Sequence, residues 1–250
     1  MPPTKSKAVI TPLIDEPWVH LADGTELKNW NKEDEIAYNQ ANRQIGKYEM
    51  FVGAMDFIRM NEIQGDYFEF GCHKCRTFRM ALTEARRRNL NNMEFYAFDS
   101  FEGLPEVKAD TTVDLWKKGV LATSVENFMK LIEKHGIYVD KVHTVKGFYN
   151  ESLNEDLKLS FSDKKAALIN VDCDLYESAV PVFDFIEDFV QEGTIIYMDD
   201  LFCGYKGSPE RGVARAFIEY QNKSAFKFAS HMNVGWWGRT FIAHKPENSL

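Results

Sequence analysis

The sequence predicts an α/β fold: a mostly parallel sheet with helices on both faces. Three observations carry this reading. From residue 67 onward, short apolar runs alternate with segments of helical periodicity, the pattern of successive βα units. Two of the runs, AALINVD at 166–172 and GTIIYMDD at 193–200, are apolar without interruption until they end in acid. Parallel strands buried on both faces read this way. The last segment, 226–244, holds two strand-like runs joined through Asn233-Val234-Gly235 with no helix between them, so it reads as an antiparallel hairpin.

At 250 residues, the chain suits one such domain with decoration. Residues 1–45 read as an N-terminal extension or arm, and 46–250 as the main domain. The net charge of −8 argues against nucleic acid, because binding phosphate needs a basic stripe. The run Arg86-Arg87-Arg88 suits a helix C-terminus, where cations complement the dipole. No apolar stretch is long enough to span a membrane, and the N-terminus lacks the apolar run of a signal peptide. The expected location is the cytoplasm. Cys72, Cys75, Cys173 and Cys203 do not form a disulfide framework. No second Cys/His pair completes a zinc site with Cys72-x-x-Cys75, which reads as small buried residues in a turn.

The elements follow in order. The extension carries Pro2, Pro3, Pro12 and Pro17, then a polar helix around 31–43; it is expected to wrap the core or a partner subunit, which makes a homodimer or higher homo-oligomer the working expectation. Apolar residues at helical spacing predict a helix over 47–60 that packs on the sheet. Gly65-Asp66 punctuates the chain. A strand at 67–70, a turn at 71–77 and a helix at 78–88 make the first βα unit. Strands follow at 94–98, 142–146, 166–171 and 194–198, with helices at 125–135, 179–190 and 213–221. The Gly-rich stretch 201–211 is a loop. The connection 100–124 is long for a compact domain, and such lengths belong to lids and binding loops. Trp116 within it either covers a ligand or packs on the core.

In open α/β sheets, ligands bind at the carboxyl ends of the strands. Gly71 lets the backbone approach a ligand there, and the amides opening the next helix suit an anion. Asp99 ends the second strand, where an acid accepts hydrogen bonds from ribose hydroxyls. Turn and acid together point to an adenosine-containing cofactor. Asp172, Asp174, Asp199 and Asp200, with Tyr176 nearby, lie at the ends of two neighbouring strands. Such a group repels itself unless a cation or proton sits in it, and a hard ion such as magnesium prefers oxygen ligands. A metal there lowers the pKa of a bound hydroxyl and a base takes the proton. Asp174 and His231 are the candidate bases, and with Asp172 they complete the catalytic set.

These segments together resemble the macrocin O-methyltransferase family, which methylates sugar hydroxyls with S-adenosylmethionine. The resemblance rests on GDYFEFG at 65–71, FDSFEGLP at 98–105, Gly147-Phe148 with Ser152-Leu153, VDCDLYES at 171–178 and Met198-Asp199-Asp200, and covers about 65–220. It implies a class I methyltransferase (Rossmann-like) fold, with a seven-stranded sheet containing one antiparallel strand. It implies cofactor contacts from Glu69, Gly71, Thr77, Asp99, Ser100, Gly147 and Phe148, with Thr77 meeting the methionine carboxylate and Asp99 the ribose. It places Mg2+ on Asp172, Asp199 and Asp200 and assigns Asp174 as general base. The implied acceptor is an antibiotic sugar or a bacterial surface glycan. Sugar-stacking residues are expected from Tyr149, Tyr176, Phe202, Tyr205, Trp236 and Trp237. The first turn departs from the family, carrying Lys74-Cys75 where members usually have glycines; side chains there are expected to crowd the methionine end of the cofactor.

Three other readings stand beside this one. A metal-dependent methyltransferase of catechols or other small phenols shares cofactor and metal. A nicotinamide-dependent oxidoreductase uses a similar sheet, but G-x-G-x-x-G is missing. A non-catalytic binding protein on the same fold predicts no turnover with any acceptor.

Overall fold

The computed structural model describes residues 22–107, 113 and 115–246. The proline-rich start of the expected arm and part of the expected lid, 108–112 and 114, lie outside the described residues. The chain divides into two compact units, 1–44 and 45–250. In the first, a 3-10 turn at Glu26–Asn29 is held by Asp23, whose carboxylate accepts from the Thr25 and Glu26 amides at 2.7 and 3.0 Å. The Asn31 side chain accepts from the Glu33 amide at 2.8 Å, capping the helix that follows.

That helix, α1 (Lys32–Met60), runs for 29 residues without the interruption expected between 43 and 47. The separation into a polar helix and an apolar one was a change of surroundings, not of backbone. No proline intervenes, and Gly46 alone costs about 1 kcal/mol relative to alanine, too little to end a long helix.

In the second unit, β1 (Asp66–Phe70), α2 (Arg76–Arg87), β2 (Phe95–Asp99), α3 (Val125–His135) and β3 (Val142–Lys146) come first. The short helices α4 (Tyr149–Ser152) and α5 (Glu155–Ser160), absent from the sequence reading, follow. Then come β4 (Ala166–Val171), α6 (Tyr176–Ile186), β5 (Ile195–Met198), α7 (Gly212–Lys223), β6 (Lys227–Val234) and β7 (Gly238–His244). The seven strands are ordered β3-β2-β1-β4-β5-β7-β6. Those from β1 to β5 pair parallel to one another, and β7 runs antiparallel to both β5 and β6.

Alternation along β1 divides the core. Tyr67 joins one face with Phe51 and Met55 of α1, Phe78 and Leu82 of α2, and Phe128 of α3. Phe68 and Phe70 point to the other face, with Phe183 and Phe185 of α6 and Phe217 of α7. The arginine run closes α2: Arg87 and Arg88 pair with Glu84, and Arg88 also reaches Asp56 at 2.6 Å. All four cysteines are buried and unbridged. No helix among the described residues is long and apolar enough to cross a membrane.

Candidate active site

One row of backbone hydrogen bonds levels the carboxyl ends of five strands. Gly147 N donates to Asp99 O, Gly71 N to Phe98 O, Asp172 N to Phe70 O and Asp199 N to Val171 O, all between 2.9 and 3.1 Å. The residues named from the sequence at the ends of β1 to β5 therefore stand side by side along one sheet edge. The order of β1 and β4 makes the middle of that edge a topological switch point, where connections depart in opposite directions and leave a crevice.

The turn after β1 is set by Gly71, at φ +93°. A Cβ there would stand 1.9 Å from the Asp172 carbonyl oxygen, so only glycine fits. The remaining turn reaches similar backbone without glycine: His73 sits at φ +32° and Cys75 at φ +59°. Cys75 takes the left-handed conformation while its side chain is buried in the core. Holding side chains in this conformation costs about 1 kcal/mol of strain per such residue.

Asp99 ties this turn to the next. One carboxylate oxygen accepts from Cys72 N at 2.7 Å and the other from Phe101 N at 2.7 Å. The Ser100 hydroxyl donates to Gly103 O at 2.7 Å. Glu69 lies beneath the turn, fully buried, accepting from the Tyr67 hydroxyl and, at 2.8 Å, from Thr77 Oγ1. Thr77 therefore directs its one donor into the protein, so the expected contact with a methionine carboxylate is not prepared on that side chain. Burial pushes Glu69 up to about 7, against the opposing hydrogen bonds from Tyr67 and Thr77.

The acids after β4 and β5 converge. Oxygens of Asp172, Asp174 and Asp200 lie within 4.8 Å of one another. Asp174 and Asp200 hold positive φ, +62° and +47°, uncommon for residues with side chains and concentrated at functional sites. Burial raises Asp172 and Asp174 well above the usual carboxylate range, reinforced by Asp199 for the first and by Asp200 for the second. Asp174 Oδ1 accepts from the Trp116 indole at 2.7 Å, and Tyr205 stands 5.9 Å from that indole. Trp116 packs in the core, one of the two roles left open by the sequence, and its indole also touches the acid.

Lys47 is the functional candidate missed in the sequence. It reaches from α1 to Asp172 Oδ2 at 2.8 Å and Asp199 Oδ2 at 2.7 Å, with its side chain 9% exposed. Burial alone would lower its pKa, but Asp172, Asp199 and Asp200 outweigh it and keep the ammonium charged. The signal was present: Lys47 heads the stripe continued by Phe51, Ala54, Met55 and Ile58, all buried. A lysine on an apolar helical face requires a buried anion. Asp199 also accepts from the Tyr197 hydroxyl, so each of its oxygens is engaged.

His231 is not brought to these acids. It lies on β6, separated from β5 by β7, with its ring beside Phe57 and Nδ1 at 3.2 Å from Thr240 Oγ1. With β7 between it and β5, the ring contacts Phe57 and Thr240 rather than an acid, so the base reading for His231 is corrected. Of the aromatic pool, Tyr176 is drawn off to Glu219 and Arg215, and Tyr149 donates to Phe98 O at 3.1 Å. Phe202 lies under Arg239, Trp237 is buried and Trp236 is 70% exposed.

An all-carboxylate set fits a hard divalent cation. The three oxygens that converge are those of Asp172, Asp174 and Asp200, whereas the resemblance named Asp172, Asp199 and Asp200. A separate cleft of about 780 Å³ opens at the opposite pole, lined by Arg59, Asp66, Asn89 and Lys164 among others. It lies away from the strand ends where ligands bind in this architecture.

The strand order, the reversed β7 and the acid-lined crevice define a class I methyltransferase fold. The family model for macrocin-O-methyltransferase (TylF) matches residues 28–239, and the chain belongs to that family. It is similar to the 8-demethyl-8-(2,3-dimethoxy-alpha-L-rhamnosyl)-tetracenomycin-C 4'-O-methyltransferase of Streptomyces olivaceus, 32% identical over 108 residues. That match covers 41% of this chain and only 40% of the relative's length. Among solved structures, the calicheamicin methyltransferase CalS11 superposes with a TM-score of 0.68 at 17% identity, over 90% of this chain and 94% of the other. The O-methyltransferase NovP superposes with a TM-score of 0.63 at 20% identity, over 79% of each chain.

Proposed function

We propose that the protein transfers the methyl group of S-adenosylmethionine to a hydroxyl of a sugar or glycosylated small molecule, with a magnesium-like ion at the acidic cluster. The observation that carries this reading is the convergence of Asp172, Asp174 and Asp200 on the crevice beside Gly71 and Asp99. Family membership supports the cofactor, and the glycoside named for the Streptomyces relative supports the acceptor class.

Each part of the site has a task in this reading. The turn after β1 presents backbone to the cofactor, and Asp99 accepts from its ribose. Ser100 and the turn at Gly147-Phe148 border the same pocket. Asp172 and Asp200 would hold the ion beside Asp174, and when bound it favours ionisation of an acceptor hydroxyl. Asp174 takes the hydroxyl proton; burial and the neighbouring Asp200 raise its affinity for one. Trp116 orients that carboxylate. Holding the acceptor oxygen in line with the sulfonium methyl supplies much of the rate.

Calorimetric titration of S-adenosylhomocysteine, followed by a screen of glycoside acceptors with magnesium and with chelator, tests the reading. Expected are cofactor binding in both conditions and transfer with magnesium alone. Transfer to a simple catechol and to no glycoside moves the acceptor class; cofactor binding with no turnover favours a binding protein. The exposed Leu27, Trp30, Ile36 and Tyr38 support self-association through the N-terminal segment, and a monomer by light scattering contradicts it.

A further inference from the structure

We propose that His73 is a positioning residue that ties the connection after β2 to the turn after β1, and that this tie sets how long the cofactor stays bound. This rests on the cofactor reading above and adds to it a residue that the family resemblance does not name.

The tie is a single hydrogen bond across 48 positions of sequence: His73 Nδ1 donates to Leu121 O at 2.7 Å. A carbonyl only accepts, so Nδ1 carries the proton, and it does so in the neutral ring of this tautomer and in the imidazolium alike. The backbone of His73 is anchored as well. Its amide and that of Cys72 point to the same Asp99 oxygen, at 3.4 and 2.7 Å. One residue thus touches, through its backbone, the acid proposed for the ribose and, through its ring, the returning end of the connection.

That returning end is closed on the departing one. Leu104 N donates to Val120 O at 3.0 Å and Gly119 N to Leu104 O at 2.9 Å. A Cβ at Gly103 would stand 2.6 Å from Val120 O, so the two stretches of backbone are in direct contact. His73 therefore holds a stem rather than a tip. Farther out, Trp116 meets Asp174. Along the sheet edge the order is β2, β1, β4. The connection leaves β2 at Asp99, is tied to the turn after β1 by His73, and reaches the turn after β4 with Trp116. These three points place it across the crevice, with His73 holding the side where the cofactor is proposed to lie. His73 and Leu121 both carry positive φ, +32° and +66°, and such backbone concentrates at ligand clamps and switch regions. A neutral hydrogen bond is worth about two- to tenfold in an equilibrium. That is weak enough to break and re-form as cofactor and product exchange.

The test measures dissociation of S-adenosylhomocysteine from the full chain by stopped flow, with amide hydrogen exchange of the cofactor-free chain as a second readout. The variants are H73F, which keeps a ring and deletes the donor, and H73N, whose amide keeps a donor near the place of Nδ1 and tolerates positive φ. H73F should raise the dissociation rate about two- to tenfold, with the association rate within about twofold of the parent. H73N should return dissociation to within about twofold of the parent. Exchange should quicken in H73F at the Leu104 and Gly119 amides and stay unchanged in β1.

An unchanged dissociation rate in H73F overturns the proposal. Faster dissociation with unchanged exchange at Leu104 and Gly119 also overturns it, because the ring would then act on the cofactor and not through the connection. So does failure of H73N to restore the rate, since bulk and not the donor would then matter. No binding by the parent overturns the cofactor reading and the claim on residence with it; unchanged exchange in H73F would then refute the tie as well. Should H73F fail to fold, H73A deletes the same donor without demanding room for a ring.

Discussion

The Trp116 indole donates to Asp174 Oδ1 at 2.7 Å, joining the connection after β2 to the turn after β4. A carboxylate held this way, proposed above as the base, presents its other oxygen in a fixed direction. Replacing Trp116 with phenylalanine keeps most of the apolar bulk and deletes the donor. A hydrogen bond to a charged group contributes about 1.5–3 kcal/mol, so W116F should lower kcat roughly ten- to hundredfold. Cofactor affinity by calorimetry should be unchanged; a parallel loss of cofactor binding would show that Trp116 shapes the pocket rather than the base.

Gly71 and Cys75 both hold left-handed backbone, yet they should respond oppositely to substitution. G71A forces a Cβ to 1.9 Å from Asp172 O and should cost about 3 kcal/mol or more, or prevent folding. C75G relieves about 1 kcal/mol of strain and gives up a buried thiol of similar worth, roughly 1 kcal/mol. Urea denaturation should place C75G within about 1 kcal/mol of the parent chain.

Glu69 predicts a pH dependence with a definite sign. Burial raises it from the ordinary 4.5 to about 7 in the folded chain. Between those pH values, the folded chain keeps a proton that the unfolded chain releases, so this group's contribution to stability falls as pH rises and levels off above about 7. Facing it are Tyr67, Thr77, Asn170 and Lys47, which all oppose the rise, and the thiols of Cys72 and Cys75. E69Q does not titrate. Its stability relative to the parent should therefore improve by roughly 3 kcal/mol between pH 4.5 and 8. A difference that stays flat over this range would show that Glu69 is ionised throughout.

Asp99 should show two losses on replacement with asparagine. The amide offers one acceptor where the carboxylate serves both Cys72 N and Phe101 N. One buried N–H is left unpaired, costing about 1–3 kcal/mol of stability. S-adenosylhomocysteine affinity should fall about tenfold or more if the same acid accepts from the ribose. Lost stability with intact affinity would leave Asp99 as a brace between turns.

Buried parallel strands leave uninterrupted apolar runs, which let residues 166–171 be read to the residue; residues 142–146, a half-exposed edge strand, were read to the residue from their place in the βα alternation. The reversed strand was legible from the missing crossover between the last two runs. α1 was split because its two halves differ in hydropathy, a signal that reports surroundings and not backbone continuity. Asp172, Asp174 and Asp200 were readable as neighbours because each follows a strand, where position along the chain fixes position in space. Lys47 was not, since it comes from a helix more than a hundred residues away, and only its place in an apolar stripe marked it. Trp116 was half legible: its connection stood out by length, but its contact with Asp174 depends on a fold of that loop that no periodicity encodes. His231 was misplaced because it was named for its residue type alone, and the sequence does not show that β7 comes between its strand and β5.

The reversed direction of β7 has a consequence for how such a protein diversifies. It returns the tip of the β6–β7 hairpin, with Trp236 and Trp237, to the sheet edge where β5 ends, and Trp237 O accepts from Phe202 N at 3.0 Å. The turns that border Asp99 and Gly147 belong to the other half of the sheet. In the proposed reaction, donor and acceptor surfaces would be carried by separate stretches of chain. Exchanging the hairpin tip between relatives is a compact way to retarget such a scaffold, because it leaves the donor half untouched.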